Sequence, residues 1–172
     1  SGFRDKAAAP CHRCQRRPKA AEMSPELDRL QRYLDGMGKT LLDGDWDGYQ
    51  QFIDLPYTLI TEHSTDYMPT AEALRERFFA FHEMLIFQKV TQYVRLAESA
   101  AALCDTLIVG RFTTHVIAGS YRTVPPFSST VTLRADRDGR WRAVSGTTAL
   151  SNMNWPNKIS QIDQPLEGTN DD

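Results

Sequence analysis

The chain reads as α+β: helices first, then a meander of long, mostly antiparallel strands packed as a curved sheet with the helices on one side. Apolar residues recur with a helical period up to about residue 87, and from residue 88 the period falls to two. Turn signals separate the segments, notably Asp43-Gly44-Asp45 between two helices and Asp138-Gly139 between two strands. A length of 172 residues suits one domain, and such a chain buries a core without disulfide staples.

Ser24-Pro25-Glu26 supplies an N-cap, a proline at the first helical position and an acid in the first turn. Leu27, Leu30, Leu34, Met37 and Leu41 then form one apolar stripe, with Tyr33 on its edge. Gly36 and Gly38 weaken this helix and mark close packing against another element. Asp45 opens a short second helix carrying Trp46, Tyr49, Phe52 and Ile53, which Pro56 is expected to close. Tyr57–Thr61 is a strand by its β-branched and aromatic content, and 62–69 is a loop or short hairpin. Thr70 caps a third helix with Leu74, Phe78, Phe81 and Leu85 on one face and His82 at its edge.

Four strand runs are expected at about 89–97, 101–118, 127–136 and 140–150, with the first break at Glu98-Ser99-Ala100. In the third run Phe127, Ser129, Val131 and Leu133 alternate against Ser128, Thr130, Thr132 and Arg134, so one face is buried. The second run has apolar residues on both faces, which predicts a central strand covered twice.

The net charge of −2 offers no basic footprint for nucleic acid. It conceals an asymmetry, because residues 1–22 carry six basic and two acidic side chains. That stretch lacks the apolar core of a signal peptide. Residues 1–23 are expected to be a poorly ordered basic leader, with Met23 a candidate natural start, and 151–172 a polar tail around a domain at 24–150. Cys11-x-x-Cys14 lacks the further ligands a structural zinc site needs, so no metal and no cofactor are expected. No apolar run is long enough to span a membrane, and three cysteines do not make a disulfide framework, so a cytoplasmic location is expected.

The residues resemble the nuclear transport factor 2-like superfamily, with its SnoaL-like (polyketide cyclase-like) and ketosteroid isomerase-like members. The resemblance is carried by Leu30-Gln31-Arg32-Tyr33, Asp43-Gly44-Asp45-Trp46-Asp47, Phe52-Ile53-Asp54, Thr70-Ala71-Glu72-Ala73-Leu74-Arg75 and Asp138-Gly139-Arg140-Trp141, in that order across 24–150. It implies a conical sheet with a pocket closed by three helices, and a homodimer through the open sheet face. It also implies where a steroid isomerase would keep its tyrosine and two acids. Tyr33 is similar to the tyrosine, but the acid positions fall near Ile60–Glu62 and Ser129–Thr130 and hold no aspartate. Serine and threonine do not replace a general base and a protonated acid.

Fold alone does not fix function here. The candidate catalytic residues are His63, beside Glu62 and Asp66, together with His115 and Tyr33. The candidate ligand-binding residues are Tyr49, Tyr57, Phe78 and Arg111. Arg111 and His115 share a strand face, where Arg111 is either a polar anchor for an anionic or carbonyl ligand or half of a cross-strand ion pair. Three functions remain open: a binder of a small hydrophobic molecule, a cofactor-free lyase, isomerase, cyclase, dehydratase or hydrolase, and a non-catalytic protein-binding module.

Overall fold

The structure, a computed structural model, describes residues 24–150. The expectations for the leader, the Cys11-x-x-Cys14 pair and the tail lie outside the described residues. Helix α1 (Pro25–Asp43) begins where Ser24 Oγ accepts the Leu27 N–H, and ends at Gly44, whose φ of 71° is left-handed. Its buried side is Leu30, Tyr33, Leu34, Met37, Gly38, Thr40 and Leu41, the stripe read from the spacing. Helix α2 (Trp46–Tyr49) is one turn long and runs into a 3₁₀ turn (Gln50–Phe52). Helix α3 (Ala71–Phe87) is capped by Thr70 and buries Leu74, Phe78, Met84 and Leu85.

The strands are β1 (Ile53–Ile60), β2 (Thr65–Met68), β3 (Gln92–Cys104), β4 (Leu107–Ala118), β5 (Tyr121–Arg122), β6 (Phe127–Ala135) and β7 (Trp141–Thr148). They form one sheet ordered β2-β1-β7-β6-β4-β3, with the short β5 on β4. All pairings are antiparallel except β1 with β7. Strand β4 is interior, between β6 and the edge strand β3, and alternates strictly, burying Ile108, Phe112, Thr114, Val116 and Ala118 beneath the helices. Its other face is only partly covered in the single chain.

Two boundaries differ from the sequence reading. Pro56 does not close α2, because the strand has already started at Ile53 and Pro56 lies within it. The pairing of β1 with β7 is irregular between Ile53 and Thr58, so the missing proline N–H falls where the ladder is interrupted. The break between the first two long strands falls at Asp105-Thr106 rather than at 98–100. Strand β3 absorbs Glu98–Ala100 through irregularities between Ala97 and Ser99 and between Ala102 and Cys104, while remaining paired to β4.

Helix α1 lies close on the sheet because glycines face it. A β-carbon on Gly110 would sit 2.5 Å from Leu30 Cδ2, and Leu30 is fully buried. Gly36 makes room for the Phe52 ring and Gly38 for the backbone of Tyr93 and the side chain of Arg95. Beyond the cap of α1, Gly44 lies under His82, whose Nδ1 is 2.9 Å from the Leu41 carbonyl oxygen and whose ring stacks on Phe78. The Gly110→Ala variant is therefore expected to lose about 1–3 kcal/mol of stability through overpacking. Urea denaturation checks this: the midpoint falls with the slope unchanged.

Candidate functional site

A cavity of about 140 Å³ opens between the helices and the concave side of the sheet. Its wall is mainly aromatic. Tyr33 comes from α1, Tyr49 from α2, Tyr57 from β1, Phe78 and Phe81 from α3, Tyr93 from β3 and Phe112 from β4. Phe78 is the hub, with ring centroids 4.7 Å from Tyr49 and 5.6 Å from Trp46. Ser129, Thr130, Thr147 and Thr148 add a polar rim from β6 and β7.

Within this wall sits a buried guanidinium. Arg95 is 6% exposed, and no carboxylate among the described residues pairs with it. Its Nη2 donates to the Leu34 carbonyl at 3.2 Å and its Nη1 to Met37 Sδ at 3.5 Å, while Nε has no partner among the described residues. Tyr93 and Phe112 lie against its faces, with Cζ 5.2 and 5.8 Å from their ring centroids. Directly across the β3–β4 ladder stands Thr114, buried, its hydroxyl also without a partner among the described residues.

Arg95 is held in place from behind. The Gln31 side chain donates to the Arg95 carbonyl at 2.8 Å and accepts the Ala97 N–H at 2.8 Å, spanning the edge of β3 where it becomes irregular. The other cation in the wall, Arg77, is already paired with Asp66 at 2.9 Å.

The tyrosines differ in their bonding. The Tyr33 hydroxyl has two acceptors at 3.2 Å, the Phe52 carbonyl and Met37 Sδ. The hydroxyls of Tyr49, Tyr57 and Tyr93 have no hydrogen-bond partner among the described residues. Burial pushes all four phenols above their ordinary range, Tyr57 to about 12. The nearby Arg95 charge opposes the rise at each of them. These hydroxyls therefore stay protonated at neutral pH and can donate hydrogen bonds.

Of the residues singled out in the sequence, Tyr33, Tyr49, Tyr57 and Phe78 converge on this cavity. His63 does not: it is exposed in the loop after β1, 3.6 Å from Glu62. His115 lies on the opposite face of β4 from Thr114, outside the cavity wall. Arg111 shares that opposite face and pairs with Glu98 of β3 at 3.0 Å. It borders a separate, more open cleft of about 420 Å³ with Glu62, Thr130 and Thr147. The sequence reading missed Arg95, Thr114 and Gln31. Period-two alternation through Tyr93, Arg95 and Ala97 carries the signal for the first of these.

No family model matches the sequence, and no curated protein sequence matches it. Solved structures do resemble the fold. An NTF-2-like protein of unknown function from Shewanella oneidensis aligns at 14% identity and a TM-score of 0.57, over 72% of this chain and 98% of that one. A ketosteroid isomerase-like protein from Erwinia carotovora atroseptica aligns at 13% identity and a TM-score of 0.53, over 73% and 95%. The fold is nuclear transport factor 2-like. A third structure with this fold, from Catenulispora acidiphila and in complex with S-DNPA, aligns at 19% identity and a TM-score of 0.56, over 71% and 90%. A fourth, from Novosphingobium aromaticivorans, is described as NTF2-like with a cystatin-like fold and aligns at 14% identity and a TM-score of 0.57, over 81% and 90%.

Among the described residues no helix is long and apolar enough to cross a membrane. Nor does any group of three or more His, Cys, Asp or Glu side chains among them form a metal site.

Two outcomes follow from the buried polar groups. A lone buried guanidinium costs folding free energy, so Arg95→Met, of similar length, is expected to raise the thermal midpoint of the ligand-free protein, as calorimetry would show. The buried phenols act on alkaline stability. With folded-state pKa values raised above the unfolded value of about 10, their contribution is complete below pH 10 and is lost as pH rises from there towards 12. Urea midpoints measured between pH 9 and 11.5 are expected to fall, and to fall less in Tyr57→Phe.

Proposed function

We propose that this protein binds a small, largely aromatic molecule in the tyrosine-lined cavity and does not run acid–base chemistry there. The observation that carries this reading is the composition of the wall. Among the described residues it contains no His, Asp, Glu, Lys or Cys, only tyrosines and two arginines as titratable groups. A general base must lie within hydrogen-bond reach of the proton it removes, and phenols held protonated by burial do not serve as one at neutral pH. The same wall suits binding, being apolar and aromatic with a few convergent donors. Its size favours a single ring, because an apolar cavity of about 150 Å³ takes up benzene. The ligand complex of the Catenulispora protein supports small-molecule binding as a use of this fold.

We propose further that a second copy of the chain covers the outer face of β3 and β4. Val94, Leu96, Val109 and Ile117 project from that face, and Leu96 is half exposed in the single chain.

Toluene and phenol are expected to raise the thermal midpoint of the protein in proportion to the logarithm of ligand concentration. The Val131→Phe variant, which fills the cavity from β6, is expected to abolish the shift. An unchanged midpoint at millimolar ligand in the parent protein would exclude the binding reading. Light scattering is expected to give twice the chain mass, and Leu96→Glu to return the monomer.

A further inference from the structure

We propose that the ligand is a monocarboxylate carried on one ring, with its carboxylate seated on Arg95 and Thr114. This deepens the binding reading above and rests on it.

Arginine offers five N–H donors in one plane. In Arg95 the described residues engage only Nη1, weakly on a thioether, and Nη2, on one carbonyl. The guanidinium also lies over the rings of Tyr93 and Phe112. The donor left without a partner among the described residues, Nε, lies in the guanidinium plane, the direction from which a planar carboxylate makes two parallel bonds to the guanidinium fork. Thr114 stands opposite Arg95 in the ladder with a second unpartnered donor, also buried and also in the cavity wall. Buried polar groups are almost always satisfied, and here two orphans stand opposite each other on neighbouring strands, on residues that both line the cavity.

Charge fixes the valence. Asp66 already neutralises Arg77, so the cavity wall carries one uncompensated positive charge among the described residues. A monoanion balances it, whereas a dianion would leave a buried negative charge unpaired. The protonated hydroxyls of Tyr49, Tyr57 and Tyr93 line the rest of the wall and tolerate an oxygen-bearing ring. Volume limits the remainder to a single ring.

The test compares benzoate with its neutral amide, benzamide, by titration calorimetry on the full chain, with toluene as the probe of the cavity itself. Benzoate is expected to bind about tenfold or more tighter than benzamide, as a charge-assisted bidentate bond allows. Arg95→Met is expected to erase that preference, read as the ratio of benzoate to benzamide affinity within the variant. Thr114→Val, a near-isosteric change, is expected to weaken benzoate about three- to tenfold relative to benzamide. Equal affinity for benzoate and benzamide in the parent protein, or a benzoate preference that survives Arg95→Met, would overturn the proposal while the toluene result keeps the binding reading. Failure of all three probes in the parent protein would overturn both.

Discussion

Leu30 sits over Gly110 with no room for a β-carbon between them, and this approach sets how close α1 comes to the sheet. At that distance the next residue, Gln31, reaches the edge of β3, and Gly38 lets the Arg95 side chain lie along the helix. A side chain at Gly110 would lift the helix and separate all three contacts. The cavity exists because the far end of α1 and the aromatic cluster around Phe78 do not close over the sheet as tightly as Leu30 does.

The polar chemistry of the cavity follows from that geometry. Tyr33, next to the tight contact, has its proton within reach of the Phe52 carbonyl in the 3₁₀ turn and of Met37 Sδ on α1. Tyr49, Tyr57 and Tyr93 lie where the space opens and keep theirs. Arg95 lies at the boundary, with part of its guanidinium on the helix backbone and part without a partner. A gradient from satisfied to unsatisfied donors thus runs from the core into the open space. An anion in that space would complete the bonding that folding leaves unfinished.

Local signals were legible wherever a short stretch of sequence decides the outcome. Ser24-Pro25, Thr70 and Gly44 mark helix ends because caps are made by neighbouring residues. Alternation in β6 marked its buried face, whereas β4 read as apolar on both faces and its strict alternation of burial shows only in the fold. Pro56 misled because the irregular pairing that admits it depends on β7, nearly ninety residues away. The end of β3 misled for a similar reason, since Glu98-Ser99-Ala100 reads as a break until Glu98 is seen to pair with Arg111 on β4. Four of the site residues were visible as aromatic positions on predicted elements. Arg95 was not, because a lone arginine in a strand looks like surface. Only the register with Thr114 and the approach of α1 turn it inward. His63 and His115 drew notice for their chemistry alone, and the fold keeps both outside the cavity wall.

The Gln31 amide has an effect beyond holding Arg95. Strand β3 ends the sheet, and an end strand normally offers a row of free backbone groups to any passing extended chain. Here the glutamine occupies the Arg95 carbonyl and the Ala97 N–H in the manner of one residue of an additional strand. A foreign strand zipping along this border would stall at that point. The side chain that supports the pocket floor thereby also works as a stopper against runaway assembly.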